Sequence, residues 1–351
     1  MAITNFGENH PLAVKLWSRK TFVEALKATS ASKFMGDSAS SLIQVLPDTQ
    51  KSSGDRIRVP LEKQLTGDGI GEDGTLEGNE EALSYFTDDL LINQLRHAVN
   101  TGGRMSKQRI LPNTREQARM RLQDWYADRI DTAFFNQIAG NTAQTNTIFT
   151  GSNASVTFDT NHVIYPDGDT SEADVSSSSA SAVMSLDVID FAVEKAETLT
   201  TPIRPLKING ENHYVLFMHP YQATDLRTNT NTGQWLDIQK AAMQGGQITK
   251  NPIFTGALGM YNNTILHVNT RVPLAPTFTD VRRAVFCGAQ AATMGFGKEN
   301  SQNKMTWVEE VFDYGNQLGV AVGMIWGLKK TRFNSEDFGT ITIPTYAVAH
   351  G

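Results

Sequence analysis

The sequence has little of what builds disulfide frameworks, nucleic-acid surfaces or membrane spans. Cys287 is the one cysteine among 351 residues, which excludes a disulfide scaffold and a cysteine-built metal site. The 31 lysines and arginines are outnumbered by 37 aspartates and glutamates, a net charge of −6, whereas a dedicated nucleic-acid binder is broadly basic. The longest apolar run, residues 318–328, is far shorter than the ~20 residues that cross a bilayer. Because the start also shows no secretory signal, we expect a soluble protein made inside the cell.

Two strand-like stretches frame a glycine-rich acidic segment. Residues 55–65 alternate apolar and polar side chains, which predicts a half-buried strand, and Pro60 places it at a sheet edge or bulge. A second extended stretch covers about 83–93. Residues 66–82 between them hold five glycines and no lysine or arginine, so we predict a projecting hairpin with a loop charge of −6. The acidic loop residues are Asp68, Glu72, Asp73, Glu77, Glu80 and Glu81.

The strongest helix signal follows a basic stretch. Apolar residues recur at helical spacing over 113–139, Asn113 and Glu116 form a capping-box pattern, and Gly140 ends the run. The predicted helix is about 40 Å long. Residues 96–121 carry a net charge of +6, since seven bases face Glu116 alone. Those bases are Arg96, Arg104, Lys107, Arg109, Arg115, Arg119 and Arg121.

The remaining chain is assigned more coarsely. Residues 1–36 are basic and predict a helix from about Pro11, either docked on its own domain or projecting as an arm. Residues 141–182 are rich in Ser, Thr, Asn, Asp and Gly, which predicts a loop or mobile insertion. A helix is expected at 186–199 and another after 220. Further strands are predicted at 213–220, 282–294, 304–312 and 317–328, the last two joined by a tight turn.

Several motifs resemble nucleotide-binding or metal-binding sequences, but none of them is complete and none forms a catalytic site. Residues 69–74 match G-x-G-x-x-G, but no helix opens there, and Glu72 and Asp73 would repel phosphates. Residues 167–174 resemble a calcium loop, yet Glu172 stands where the turn glycine belongs. Three aspartates in the long helix, at 124, 128 and 131, are explained by surface pairing with arginines. Cys287 lies in an apolar strand, so we expect a buried structural thiol. We therefore predict no enzyme activity and no cofactor or metal.

Several phrases resemble the major capsid proteins of tailed bacteriophages, in a podovirus-type family with the Hong Kong 97-like fold. They are LTGDGIGEDGTLEGNEE (65–81), QLRHAV (94–99), DWYADRIDTAFFNQIAG (124–140), YVLFMHPYQATDLR (214–227) and WVEEVFDYGNQLGVAVGMIWGLKKTRFNSEDFG (307–339). The resemblance implies an α+β fold. Its implied regions are an N-terminal arm (1–36), an E-loop region (50–95), a peripheral domain (96–185) with its spine helix (113–139), an axial domain (186–299) and further peripheral strands (300–351).

The resemblance also implies function and partners. Copies of the chain would form the hexamers and pentamers of an icosahedral virion shell around double-stranded DNA, assembled in the cytoplasm of the host bacterium. A portal protein at one vertex, decoration proteins and a separate scaffolding protein are the expected partners, because this chain enters the arm without a preceding scaffold-like domain; no membrane partner is expected. Residues 66–82 contain no lysine and the nearest is Lys63, so a covalent E-loop cross-link of the Hong Kong 97 type is not expected.

The two charged segments suggest how neighbours recognise each other. In the resembled fold the E-loop crosses the adjacent subunit's peripheral domain, so we predict that the acidic loop docks on the basic segment, with Arg115 and Arg119 at the centre. The predicted contacts are Asp68, Glu72, Asp73, Glu77, Glu80 and Glu81 on one side and Arg104, Lys107, Arg109, Arg115, Arg119 and Arg121 on the other. Two other functions stay open: a virion decoration or adhesin protein that remains monomeric, and a nucleotide-binding enzyme using the Gly-rich loop 67–78.

Overall fold

The computed structural model describes residues 30–46, 54–62, 65, 67–71, 75, 77–109, 114–179, 181–208, 210–229, 257–298, 300 and 305–350. The α-helices in these ranges are α1 (Arg104–Arg109), α2 (Thr114–Ile138), α3 (Glu172–Ser178), α4 (Leu186–Thr198) and α5 (Pro220–Thr228). The strands are β1 (Met35–Gly36), β2 (Ile43–Leu46), β3 (Arg56–Glu62), β4 (Tyr85–Leu91), β5 (Asn93–Asn100), β6 (Leu206–Ile208), β7 (Glu211–Met218), β8 (Ala257–Tyr261), β9 (Thr264–Val268), β10 (Val281–Cys287), β11 (Ala292–Phe296), β12 (Thr306–Phe312), β13 (Gln317–Lys330), β14 (Arg332–Phe333), β15 (Glu336–Asp337) and β16 (Thr340–Tyr346). The helix expected from Pro11 lies outside the described residues.

The first sheet is built on the long strand β13. Its order is β1-β2-β11-β13-β12, and β5 pairs with β13 as well. Even-numbered residues of β13 from Val320 to Leu328 are buried in the core that also contains the apolar face of α2. On the opposite face, a Cβ at Gly327 would come within 2.1 Å of the Leu91 carbonyl, so only glycine permits this approach. The strand predicted at 317–328 is therefore confirmed, with bulky side chains on one face and mostly small residues on the other.

The second sheet is buried on both faces. Its order is β16-β10-β7-β9-β8, with β6 beside β7. Val215 and Phe217 of β7 join the core around α2, where the Phe217 ring meets the Phe134 and Phe135 rings edge-on at 5.6 and 5.5 Å. The alternate residues Tyr214 and Leu216 join a second core beneath α4. A near-continuous apolar strand is expected where both faces of a sheet are covered.

Helix α2 is the predicted long helix and lies between the two sheets. Its apolar residues pack on β13 and β7, and its last five residues, 134–138, are all buried. Gly140 ends the helix in the left-handed conformation at φ 60°, where the Val156 carbonyl leaves no room for a Cβ.

The predicted hairpin is confirmed as β3–β4. Seven residue pairs run from Arg56–Leu91 to Glu62–Tyr85. Pro60 lies on β3, which pairs with β4 alone within the described ranges.

One local prediction is wrong, and another, that of a loop at 141–182, holds for most of the segment but not for residues 172–178. Residues 282–294 are two strands in different sheets, because the chain crosses between the sheets at Gly288, where Ile203 and Arg204 leave no space for a side chain. Residues 141–182 are also built into the fold: the segment contains α3, the Val163–Thr342 bridge and the buried Val175. The polar composition of this segment predicted a loop or mobile insertion. The segment is ordered because its side chains and backbone form hydrogen bonds with the two sheets, and such bonds leave no apolar periodicity in the sequence.

The sheet pairings also cross the expected domain limits. Strand β16, expected in the peripheral domain, pairs with β10 in the second sheet, and β11, expected in the axial domain, pairs with β13 in the first. The division into domains stays a prediction. None of the described helices combines the length and apolar character needed to cross a membrane.

Candidate assembly interface

The β3–β4 hairpin is fastened to the body at its root. The side-chain oxygen of buried Asn153 accepts the Leu91 N–H at 2.9 Å, and its amide nitrogen lies 2.9 Å from the Leu91 carbonyl. Asn153 therefore pairs with the end of β4 as a neighbouring strand residue would. Three residues away, Asp88 receives the Lys329 ammonium group and the Arg332 N–H. These anchors leave no pattern in the sequence, because their residues lie far apart along the chain.

Beyond Asp88 the hairpin projects with its acidic loop exposed. Asp68, Glu77, Glu80 and Glu81 are exposed, while Glu72 and Asp73 lie outside the described residues. Two of these carboxylates also hold the loop: Glu81 accepts the Gly67 N–H at 2.7 Å and Glu80 accepts the Gly78 N–H at 2.9 Å. Asp68 and Glu77 are thus the better probes of external contacts.

Some arginines of the basic segment, residues 96–121, are exposed, and others are partly buried against their own chain. Arg96 on β5, Arg104 at the start of α1, and Arg121 on α2 are exposed. Arg119 is half-buried, and the side chains of Lys107 and Arg109 lie outside the described part. The aliphatic stem of Arg96 covers Gly323, where a Cβ would lie 2.9 Å from the Arg96 Cγ. Arg121 also lies 3.7 Å from the exposed Asp124 carboxylate one turn later, a solvent-accessible pair.

Arg115, expected at the centre of the docking surface, has a partner in its own chain. Its Nε lies 2.7 Å from Oε1 of Glu309, a carboxylate only 3% exposed. The Trp307 indole N–H donates to the same oxygen at 3.3 Å. Removing Arg115 would leave a buried charge without its cation, so Arg115 serves the subunit's own fold. Local spacing does not reveal this pairing, because the two residues lie 194 positions apart.

Asp131 was expected at the surface of the long helix, and this is wrong. Its side chain is 3% exposed, and its carboxylate accepts the N–H groups of Ser30 and Ala31 at 3.0 and 3.1 Å. Arg271 approaches it at 3.3 Å and also pairs with exposed Asp128 at 2.9 Å. A carboxylate that receives several donors is compatible with burial, because each donor replaces water.

A buried ionic network joins the C-terminal end of β13 and β15 to the 141–182 segment. Lys330 Nζ lies 2.8 Å from Asp337 Oδ2, and both side chains are buried. Burial lowers the pKa of Lys330 and raises the pKa of Asp337, so each needs the other to stay charged. Asp159 accepts the Asp337 N–H at 2.7 Å and pairs with His162, and these hydrogen bonds outweigh burial and lower the pKa of Asp159.

Helix α5 starts at an unusual cap. Nδ1 of His219 accepts the Tyr221 N–H at 3.2 Å, and the His219 N–H donates to Gln222 Oε1 at 2.8 Å. The acceptor role requires a neutral ring. Burial, with a smaller contribution from the nearby Arg282 cation, lowers the pKa of His219 to about 4, so the ring is neutral at pH 7.

The Gly-rich segment and the 167–174 stretch do not have the structure that a phosphate site or a calcium loop requires. Within 65–84 the described residues contain no helix that could present its N-terminus to a phosphate. In the 167–174 stretch, Glu172 pairs with buried Arg283 at 2.6 Å, and Asp174 accepts the Thr170 hydroxyl at 2.8 Å. Across the described ranges no group of three or more His, Cys, Asp or Glu residues could hold a metal ion. Cys287 is buried as predicted, and burial raises the pKa of its thiol.

Comparison with known proteins identifies the architecture. The sequence matches the phage capsid protein family over residues 5–349. It is 31% identical over 375 residues to the major capsid protein of Pseudomonas phage KPP25, covering 97% of this chain and 96% of that protein. The fold matches the capsid of Ralstonia phage GP4 with a TM-score of 0.81 and 34% identity, over 100% of this chain and 99% of that one.

A more distant match shows the fold alone. The capsid asymmetric unit of cyanophage Pam1 superimposes with a TM-score of 0.73 at 14% identity, over 93% of this chain and 94% of that one. The predicted Hong Kong 97-like fold is confirmed, and with it the role of a virion structural protein. The chain belongs to the phage capsid protein family.

Proposed function

We propose that this chain is the repeating subunit of an icosahedral shell of hexamers and pentamers that encloses double-stranded DNA. The observation that carries the proposal is the match in fold and sequence to the GP4 capsid over the full chain. Assembly takes place in the cytoplasm of the host bacterium, with a separate scaffolding protein and a portal protein as partners.

The projecting hairpin supplies the contact between neighbouring subunits. An isolated two-stranded hairpin is at best marginally stable in water. Here the distal half also exposes apolar side chains, with Leu83 54% and Tyr85 58% accessible. A neighbouring subunit that covers this surface stabilises the hairpin, and the acidic loop sets its docking position.

The receiving surface is the exposed part of the neighbour's basic segment. Since Arg115 is held by Glu309, the contact moves to the exposed arginines Arg96, Arg104 and Arg121. Exposed ion pairs contribute only about 0.2–1 kcal/mol each, so they affect the rate and specificity of assembly more than subunit stability.

Charge reversal tests this contact. Asp68→Lys with Glu77→Lys changes the loop charge without touching the Glu80 and Glu81 hydrogen bonds to the loop backbone. We expect a folded subunit whose shell assembly is blocked, measured by light scattering and electron microscopy, with partial rescue by Arg104→Glu and Arg121→Glu. Glu194→Lys with Glu197→Lys makes the same charge change on the exposed face of α4 and should assemble normally.

Two results would count against these proposals. Normal assembly of the loop variant at both low and high salt would reject the charged contact, because exposed charges are screened by salt. An unmodified chain that stays monomeric, with and without scaffolding protein, would instead favour a decoration or adhesin protein.

A further inference from the structure

Lys330, at the end of β13, and Asp337, on β15, form an amine–carboxyl pair that is closed off from water. Lys330 Nζ lies 2.8 Å from Asp337 Oδ2, and the two side chains are 2% and 0% exposed. Burial lowers the pKa of Lys330 and raises the pKa of Asp337, which favours the neutral amine and the neutral carboxylic acid over two separate charges. A neutral, desolvated lysine amine is a nucleophile, and a carboxyl carbon is an electrophile that it can attack.

Buried hydrogen bonds fix the backbone of both residues. The Lys330 N–H donates to Oε1 of buried Gln137 at 3.4 Å, and the Asp337 N–H donates to Asp159 Oδ2 at 2.7 Å. The amine and the carboxyl group are therefore held together by the fold itself. Such an arrangement turns an encounter between two groups into an effectively unimolecular step.

The second oxygen of the Asp337 carboxyl group faces a cation. Arg332 and Asp337 are paired across β14 and β15, and Arg332 Nε lies 2.9 Å from Asp337 Oδ1. Attack by nitrogen on the carboxyl carbon places a negative charge on one of the two oxygens. A cation already positioned at Oδ1 stabilises that charge there, so Oδ2, the oxygen beside Lys330, is the one that can leave.

We propose that Lys330 and Asp337 condense into an isopeptide bond within the subunit. Lys330 Nζ transfers a proton to Asp337 Oδ2, and the neutral amine attacks the carboxyl carbon to give a tetrahedral intermediate whose negative charge lies on Oδ1 beside Arg332. The bond from that carbon to Oδ2 then breaks, and Oδ2 leaves as water with two protons that came from the nitrogen. Ammonium and carboxylate thus become one amide and one water, with no oxidant or further reactant. The bond does not involve the loop 66–82, and it ties the end of β13 to β15.

Mass spectrometry of the wild-type chain tests the proposal. Under denaturing conditions, the intact mass should be the sequence mass less one water molecule. Trypsin does not cleave after an acylated lysine, so the peptide 330–332 should remain joined to the peptide that begins at Phe333. Lys329 is an internal control, because its pair with Asp88 is partly exposed and should stay ionic, so that trypsin still cleaves after Lys329.

Two substitutions assign the reacting groups. Lys330→Met removes the amine, and the chain should keep its full sequence mass. Arg332→Gln removes the cation at Oδ1, and we expect the loss of water, timed from synthesis of the chain, to slow by about a hundredfold. The decisive measurement is the mass of the wild-type chain, so the test stands even where a variant fails to fold.

Three results would count against the isopeptide bond or its assigned chemistry. A wild-type chain that keeps its full sequence mass, both freshly made and after long storage, would overturn the proposal. A lost water that maps to another peptide, such as a cyclic imide at Asp167–Gly168, would overturn it too. Equal rates of water loss in the wild type and in Arg332→Gln would overturn the part assigned to Arg332.

Discussion

Individual buried polar residues decide how this subunit is held together. Asp131, Asn153, Asp159 and Glu309 each receive donors from distant parts of the chain, and Arg283 donates to the Ala139 and Gly140 carbonyls as well as to Glu172. Removing one partner of such a contact strands a buried charge or amide, which is more damaging than losing an exposed pair. Substitutions at these residues should therefore act on the fold, and substitutions of the exposed loop acids on assembly.

His219 makes stability depend on pH. Its pKa in the folded subunit, about 4, lies below the ordinary histidine value of 6.5. The contribution of His219 to the unfolding free energy is fully present above pH 6.5. It decreases as the pH falls toward 4, because the unfolded chain binds a proton that the folded cap excludes. His219→Asn keeps a side-chain acceptor and removes this titration. We expect its unfolding free energy, measured by urea titration, to vary less than wild type between pH 6.5 and 4; an equal slope would rule out His219 as the source.

The root of the β3–β4 hairpin, where Asn153 holds Leu91 at the end of β4, sets the direction of the hairpin. Asn153→Ala removes the partner of both backbone groups of Leu91, and we expect a loss of about 2–3 kcal/mol in unfolding free energy. Amide exchange at Leu91 should accelerate along with it. Asn146→Ala is the matched control, since Asn146 caps the exposed 3-10 helix Thr147–Phe149 and should cost about 1 kcal/mol or less. Equal effects of the two substitutions would argue against an anchoring role.

Local periodicity predicts the elements whose residues lie close together in the sequence. Helix α2, the β3–β4 hairpin and the β12–β13 hairpin each follow from apolar spacing and turn residues that lie close to one another in the sequence. It failed at the β10–β11 crossing, where packing against Ile203 and Arg204 decides the path. It also failed for Arg115 and Asp131, since a charged residue on a helix gives no sign of a partner more than 90 positions away. The resemblance supplied the family, which composition and spacing had left open.

At the scale of the whole molecule, the second sheet makes one cooperative unit of two cores. Residues of β7 and β10 alternate between the core around α2 and the core beneath α4, so neither core can open without exposing the other. We expect a single thermal transition of the monomer, with the calorimetric enthalpy equal to the van't Hoff enthalpy. Two resolved transitions would show that the cores unfold separately.

The shared sheet also limits where the subunit can bend. Protein interiors are close-packed and barely compressible, so a sheet covered on both faces transmits a displacement instead of absorbing it. In a closed shell, the changes of curvature between neighbouring positions must then be taken up elsewhere. Within the described ranges the root of the hairpin is such a joint, because a few hydrogen bonds to Asn153 and Asp88 hold it and can break and re-form while the two cores move as one body.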